Sequence, residues 1–376
     1  MNKSVIIDAV RSPIGVRGGN LIGVRPDELA AQVISGLLER NKNLDQHLIE
    51  DMIFGCAFPE GPQGMLISRG IGILAGLPNS VSGSVVNRFC GSSMDAVHQV
   101  STKIESGDIE IGIAGGVEDM FSVPMGGFSP DLNPRLAALD YYISMGETAE
   151  RLAFDGKISR TEQEEFSIKS HEKAINAMSK SKFENEIIPI KSDNLKTTLE
   201  DEGPREPNLV KIKSLTPVFN KNGSITAATS SPISMGASAV LLTSETFAKK
   251  HNLTIRAHVI GRAVAGVDWR KMGVGPLPAT KKALKQANLK MDDIDLIELN
   301  EAFAAQALYV IKAGNWDQSK INSNGGSIAL GHPLGCSGAR IIATLINTLE
   351  QKNQKTGLAT MCIGTGQGIS TIIKRA

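Results

Sequence analysis

Long apolar runs are missing from this 376-residue chain. No stretch approaches the roughly 18–20 residues that span a bilayer, so a transmembrane helix is excluded. The first seven residues likewise lack the apolar core and small-residue cleavage site of a secretory signal. Charge of one sign is lacking too: 40 Lys+Arg against 39 Asp+Glu leave a formal +1, without the basic excess of a nucleic-acid binder. Cysteine is scarce. Cys56, Cys90, Cys336 and Cys362 are too few for a disulfide scaffold, which makes a reducing, cytoplasmic setting the expectation. They form no Cys-x-x-Cys pair, and no His-Glu-x-x-His is present, so no metal site is expected. The first strand is not followed by Gly-x-Gly-x-x-Gly, and there is neither a Gly-x-Ser-x-Gly elbow nor a Walker loop. Dinucleotide binding, that hydrolase class and P-loop chemistry are set aside on this ground.

Aromatics make up only 4%, whereas glycine, with 38 residues, is abundant and clustered: Gly18-Gly19, Gly115-Gly116, Gly126-Gly127, Gly325-Gly326, Gly331, Gly335, Gly338, Gly364, Gly366 and Gly368. Such density after apolar segments indicates either tight turns or backbone approaching a ligand or another backbone closely. At 41% hydrophobic residues the chain can bury a large core, and its length fits two or three domains or two halves around one core. Short β-rich runs at 4–8, 51–54, 81–89 and 109–114 alternate with helical patterns at 26–41, 65–75 and 92–106. A similar order returns late, with strands at 256–265, 295–299, 320–322, 355–362 and 368–374 and helices at 278–287, 301–312 and 337–351. This alternation predicts an α/β fold with a mixed or parallel sheet. The spacing of 244 residues that separates Asp51 from Asp295 also separates Gly91 from Gly335, which points to two homologous halves. Residues 118–231, between them, are richer in charge, Pro and Asn. The capping-box pattern Ser159-Arg-Thr-Glu162 opens one strong helix there, and 191–213 reads as mostly loop. Composition leaves open whether this insert is a lid, a substrate-binding subdomain or an inert surface excursion.

Cys90 ends an apolar run and precedes a helical pattern. At a strand-to-helix turn a cysteine faces free N–H groups that favour thiolate, although a packed turn cysteine fits the segment equally. His332 lies between Gly331 and Pro333, on a loop rather than within an element. The remaining histidines, His47, His98, His171, His251 and His258, are expected to pack or face solvent. Cys362 closes a second buried run before a Gly-rich turn able to present N–H donors to an oxyanion. Asn300 closes another strand, where it is either a site residue or a helix cap. Two cysteines, a histidine and an asparagine at strand ends or on Gly-rich loops suit acyl-thioester chemistry, with one Cys as nucleophile, His as its base and the second Cys as acid/base.

The sequence resembles the thiolase family over essentially its whole length. The motifs that carry the likeness are Asn87-Arg-Phe-Cys-Gly-Ser-Ser-Met94, Ala114-Gly-Gly-Val-Glu118, Met145-Gly-Glu-Thr-Ala-Glu150, Asn300-Glu-Ala-Phe-Ala304, residues 325–340 and Cys362-Ile-Gly364. The resemblance implies two duplicated, mixed five-stranded βαβαβ-type halves in α/β/α/β/α layers, with an inserted loop domain. The expected division is 1–117 with 232–252, then 118–231 for CoA and acyl binding, then 253–376. It further implies that Cys90 is the acylated nucleophile, His332 its base and Cys362 the acid/base at the substrate α-carbon. By the same likeness Asn300 fixes a water in one oxyanion hole with His332, and the N–H groups of Cys90 and Gly364 form the other. Ser231, Met145, Ala302 and Phe303 correspond to positions lining the CoA and acyl tunnel. No permanently bound cofactor is implied, coenzyme A being a substrate.

Cys90–Met94, residues 357–364 and Cys336 are similar to the branch that cleaves 3-ketoacyl-CoA in fatty-acid β-oxidation; a biosynthetic acetoacetyl-CoA enzyme is the alternative. The short segment 121–144 implies a homodimer rather than a tetramer, and the branch suggests a hydratase/dehydrogenase partner subunit. Ala228 and Met235 depart from the family's usual Gly and Asp, which bears on the expected CoA contacts. A decarboxylating ketoacyl synthase, which would pair one Cys with two His or His and Asn, is disfavoured by Cys362. A non-catalytic lipid-binding homologue is disfavoured because Cys90, His332 and Cys362 are all kept.

Overall fold

The computed structural model describes residues 3–192 and 196–376. Nine main strands follow the two-fold repetition of the sequence. In the first half they are β1 (Ser4–Arg11), β2 (Asp51–Gly55), β3 (Ser82–Val86), β4 (Ile111–Asp119) and β5 (Ser234–Ser244). In the second they are β6 (Ala257–Gly266), β7 (Leu296–Leu299), β8 (Thr356–Ile363) and β9 (Gln367–Arg375). The first half is ordered β3-β2-β4-β5-β1, with β2 parallel to β3 and β4 and the rest antiparallel. The second half repeats this as β7-β8-β9-β6, with β7 parallel to β8. Its fifth strand, expected over 320–322, is reduced to one parallel bridge, Ile321 to Ile297, after a 3-10 turn at Gln318–Lys320. A short ladder, Val5 to His258 and Ile6 to Ala257, joins the two halves into one continuous sheet.

Apart from β3 and β6, the strands are buried on both faces, so they read as apolar runs rather than alternations. Helices α1 (Pro26–Arg40) and α2 (Ile67–Leu74) cover the outer face of the first half, where Leu29, Val33 and Leu37 pack on Val5, Ile7 and Leu241. Helices α3 (Ser92–Ser106) and α8 (Leu334–Gln351) lie between the halves. Met94, Val97 and Val100 meet Ile342, Leu345 and Ile346, with Ile6, Val240 and Met361 from the sheet. On the far side α6 (Pro276–Ala287) and α7 (Ala304–Gly314) cover the second half. Alternate residues of one strand serve different layers: in β5, Ala239 and Leu241 face outward while Val240 and Leu242 face the central helices.

β4 continues to Asp119, and the chain returns to the sheet at Ser234, so the intervening excursion begins two residues later than expected. The excursion holds two long helices, α4 (Met145–Asp155) and α5 (Arg160–Ser179), each opened by a formed capping box, Ser144 with Glu147 and Ser159 with Glu162. Most of 191–213 lacks helix or strand. It contributes to a two-residue ladder, Ile190–Lys191 with Thr197–Thr198, and to a turn of helix at Leu209–Ser214; residues 193–195 lie outside the described residues. The insert is clamped to the sheet rather than hinged as a free flap. Arg11, wholly buried at the end of β1, binds Glu186 at 2.7 Å and Asp201 bidentately at 2.7 and 2.9 Å.

Candidate active site

The site is assembled where the N-terminus of α3, the N-terminus of α8 and the C-terminal end of β8 meet. Small residues permit this. A Cβ on Gly338 of α8 would lie 2.4 Å from the Met94 nitrogen of α3, and one on Gly116 of β4 would lie 2.0 Å from the Gly335 carbonyl oxygen. Buried Glu118 braces the same junction, accepting the N–H groups of Ala57 at 2.7 Å, Phe58 at 3.2 Å and Gly335 at 2.8 Å, and Gln63 Nε2 at 3.0 Å. The two halves are thus held together within one residue of Cys336 and three of His332.

Cys90 occupies a 3-10 turn, Phe89–Gly91, that runs into α3. Phe89 adopts φ +42°, an unfavourable conformation for a non-glycine residue. It is over-determined by its surroundings: Phe89 N–H donates to Asn87 Oδ1 at 2.9 Å and its carbonyl accepts Ser92 Oγ at 2.6 Å. The Cys90 thiol is half-buried; burial pushes its pKa up to about 11, against the opposing pull of the N–H groups of Gly364 and of Cys90 itself. The sequence led us to expect a thiolate-favouring helix terminus. The donors are in place, but desolvation outweighs them and the resting group is the thiol.

His332 is buried on the loop before α8, its backbone N–H donating to Ser234 Oγ at 2.9 Å. Its Nδ1 lies 2.6 Å from Ser337 Oγ, which in turn donates to the Pro333 carbonyl at 2.8 Å. Burial, with the charge of Arg340, lowers its pKa to about 3, so the ring is neutral at physiological pH. Asn300 Nδ2 stands 3.3 Å from His332 Nε2. Asn300 caps no helix here: α7 begins only at Ala304, and residues 300–303 are non-helical, with Phe303 extended before it.

Cys362, at the end of β8, is buried in an apolar cluster with Met145, Ala302, Phe303 and Met272. Burial and the nearby Cys90 both push its pKa up. Met145 reaches the same point, since a Cβ on Gly364 would lie 3.3 Å from its sulfur. Ser231 closes the cluster, its N–H and Oγ donating to the Ala302 carbonyl at 3.0 and 3.1 Å. Every site residue expected from the sequence therefore falls into this one region. Of the remaining histidines, His98 and His171 pack in the interior, while His47 is exposed. Met235 is fully buried in β5, paired with Gly15 in the outer core, and Ala228 lies in a 3-10 turn at Ala227–Thr229.

Sequence reasoning did not single out Ser327, Ser337, Glu118 or Arg340 individually, although all fall within motifs it quoted. Buried polar residues inside Gly-rich motifs were the available signal. It also passed over β5, despite the apolar run from Ala237 to Leu242, and the Ser144-x-x-Glu147 box that opens α4.

Two like halves joined through one sheet, with cysteines and a histidine gathered at strand and helix ends between them, define an acyltransferase of the layered α/β class. The chain belongs to the thiolase family: "Thiolase, N-terminal domain" matches residues 4–246 and "Thiolase, C-terminal domain" matches residues 253–375. It is 47% identical over 388 residues to a 3-ketoacyl-CoA thiolase of Shewanella loihica, covering 100% of both chains. It is 49% identical over 384 residues to one of Acinetobacter baumannii, covering 99% of this chain and 97% of that one. The crystal structure of the Bacillus anthracis acetyl-CoA acetyltransferase superposes with a TM-score of 0.92 at 37% identity, covering 100% of this chain and 99% of the other.

Proposed function

We propose that the chain cleaves 3-ketoacyl-CoA with coenzyme A, releasing acetyl-CoA and an acyl-CoA shortened by two carbons, through an acyl-Cys90 intermediate. The observation that carries this reading is the grouping of His332 against Asn300, Cys362 packed with Met145, Ala302 and Phe303, and the Gly364 N–H that faces Cys90. His332 Nε2 takes the Cys90 proton and the sulfur attacks the 3-keto carbon, whose oxygen is received by the N–H groups of Cys90 and Gly364. The C2–C3 bond breaks. The acetyl-CoA enolate is stabilised at the hole formed by Asn300 and His332, with a water, and Cys362 protonates C2. Coenzyme A then attacks the acyl-Cys90 thioester, its thiol proton passing to a base of the site, and regenerates the free cysteine.

The acyl chain and pantetheine run past Met145, Ser231, Ala302 and Phe303. No resident metal or redox cofactor enters these steps. A homodimer paired through β3, the outermost strand of the first half, fits the exposed Ser82 and Ser84 on that edge. A hydratase/dehydrogenase partner is what the likeness to the β-oxidation branch implies. Four unpaired cysteines suit a cytoplasmic setting. The test is mass spectrometry of the chain incubated with acyl-CoA. An adduct on Cys90, absent in Cys90→Ser with its fold intact, is expected; an adduct on Cys56, Cys336 or Cys362 would overturn the assignment. Thiolysis with substrates of graded chain length then separates this reading from acetoacetyl-CoA chemistry.

A further inference from the structure

The proposed chemistry needs a lone pair on His332 Nε2, yet Asn300, its neighbour, does not guarantee one. The asparagine amide has an accepting end and a donating end of nearly equal shape. Were Oδ1 turned toward the ring, Nε2 would carry the proton and could not take another from Cys90. Something beyond Asn300 must choose its orientation.

The choice is made by groups that have only one hydrogen-bonding role. Arg340 Nη2 lies 2.6 Å from Ser327 Oγ, and Ser327 Oγ lies 2.6 Å from Asn300. Guanidinium only donates, so Ser327 accepts from it; accepting from Asn300 as well would leave the buried Ser327 proton without an acceptor, so that proton goes to Asn300. The amide atom that meets this proton must be Oδ1. Nδ2 is thereby turned to His332 Nε2 at 3.3 Å, and Nε2 must present its lone pair. At the other end the Pro333 carbonyl only accepts. Ser337 donates to it at 2.8 Å, alongside the Cys336 and Ser337 N–H groups, and with its proton so placed its oxygen is free to receive the Nδ1 proton at 2.6 Å. The chain reads in the same direction from both ends. Arg340, Ser327, Asn300, His332 and Ser337 are each at most 4% exposed, so bulk water has little access to reverse a link.

We propose that Arg340 and Ser327 are positioning residues. The donor-only guanidinium, acting through the Ser327 hydroxyl, sets the Asn300 amide and keeps the His332 proton on Nδ1, so that Nε2 is free to act as base. Once Nε2 is protonated, the site holds two donors, its N–H and the Asn300 amide, the kind of groups an enolate oxygen requires. A flipped amide would set an acceptor there instead. The consequence for rate rests on the function proposed above; the tautomer does not.

The experiment is NMR of the full-length chain labelled with ring-15N histidine, which distinguishes Nδ1–H from Nε2–H, with the His332 signals assigned by their loss in His332→Gln. The native chain should show Nδ1–H. Ser327→Ala, checked for fold by near-ultraviolet circular dichroism, should develop an Nε2–H population and lose about 10- to 100-fold in kcat, below the full contribution of a general base, with KM for coenzyme A little changed. Ser327→Thr, which keeps the hydroxyl, should restore both. An Nε2–H ring in the native chain overturns the proposal without any variant. So does a Ser327→Ala chain that keeps both the Nδ1–H ring and the native kcat. A native chain with the Nδ1–H ring but no thiolysis supports the positioning chain and rejects the proposed reaction instead.

Discussion

At the scale of single residues, the resting state is set by desolvation. A thiol pushed up to about 11 and an imidazole lowered to about 3 both favour their neutral forms near pH 7. Alkylation of Cys90 by iodoacetamide without substrate should therefore rise about tenfold per pH unit from 7 to 10. Quenched reactions read by peptide mass spectrometry measure it; a rate already level below pH 8 would show a thiolate–imidazolium pair. Cys362 is separable from Cys90 on the same reasoning. Transfer of an acyl group from simple acyl-CoA to Cys90 makes no carbanion, so Cys362→Ala should retain it. That variant should lose exchange of the acetyl-CoA α-protons with deuterium by about 10²-fold or more, the usual contribution of an acid–base group. A modest, equal loss in both assays would make Cys362 a packing residue only.

At the scale of elements, two helix N-termini must approach closely for Cys90 and His332 to share a site. Gly338 is the residue that lets them, since α8 passes Met94 of α3 with no room for a Cβ. The contact is further fixed by Ala339 N–H donating to Ser93 Oγ at 2.9 Å. Gly338→Ala puts its methyl against backbone, which cannot swing away as a side-chain tip could. The cost should fall in the 1–3 kcal/mol range of overpacked cores, read as a lower denaturant midpoint. A fall of about 10²-fold in Cys90 acylation, the order expected of a small misplacement, should accompany it. Native stability together with native acylation would show that the helices slide apart freely.

For the whole molecule, β3 ends the sheet on an exposed edge, and beside it Met65 is 100% exposed while Leu66, Ile73 and Leu74 are also exposed. An unpaired edge flanked by apolar side chains is the feature proteins ordinarily cover. Light scattering of the pure chain should give twice the chain mass. Met65→Asp, which would bury an unpaired carboxylate at the joint, should shift that mass toward the monomer. A stable native monomer or a tetramer would reject pairing through this edge.

Most of the order of strands and helices, and the duplication, were legible in the chain itself, β5 and the start of α4 being the exceptions. Periodicity, capping patterns and Gly-flanked motifs are local, and they placed Cys90, His332, Asn300 and Cys362 at element ends before any fold was known. Even the weak strand expected at 320–322 survives as the Ile321 bridge. Local signals could not say that α7 starts late and leaves residues 300–303 non-helical, because tertiary contacts with Ser230 and Ser231 hold Phe303 and Ala302. Nor could they say that burial overrides the helix terminus at Cys90, since desolvation depends on what packs around the sulfur. The direction of the chain from Arg340 to Pro333 likewise needed three dimensions. Hydrogen-bond roles belong to residue types and can be read from sequence, but which donor meets which acceptor is settled only when segments far apart in the chain are folded against one another.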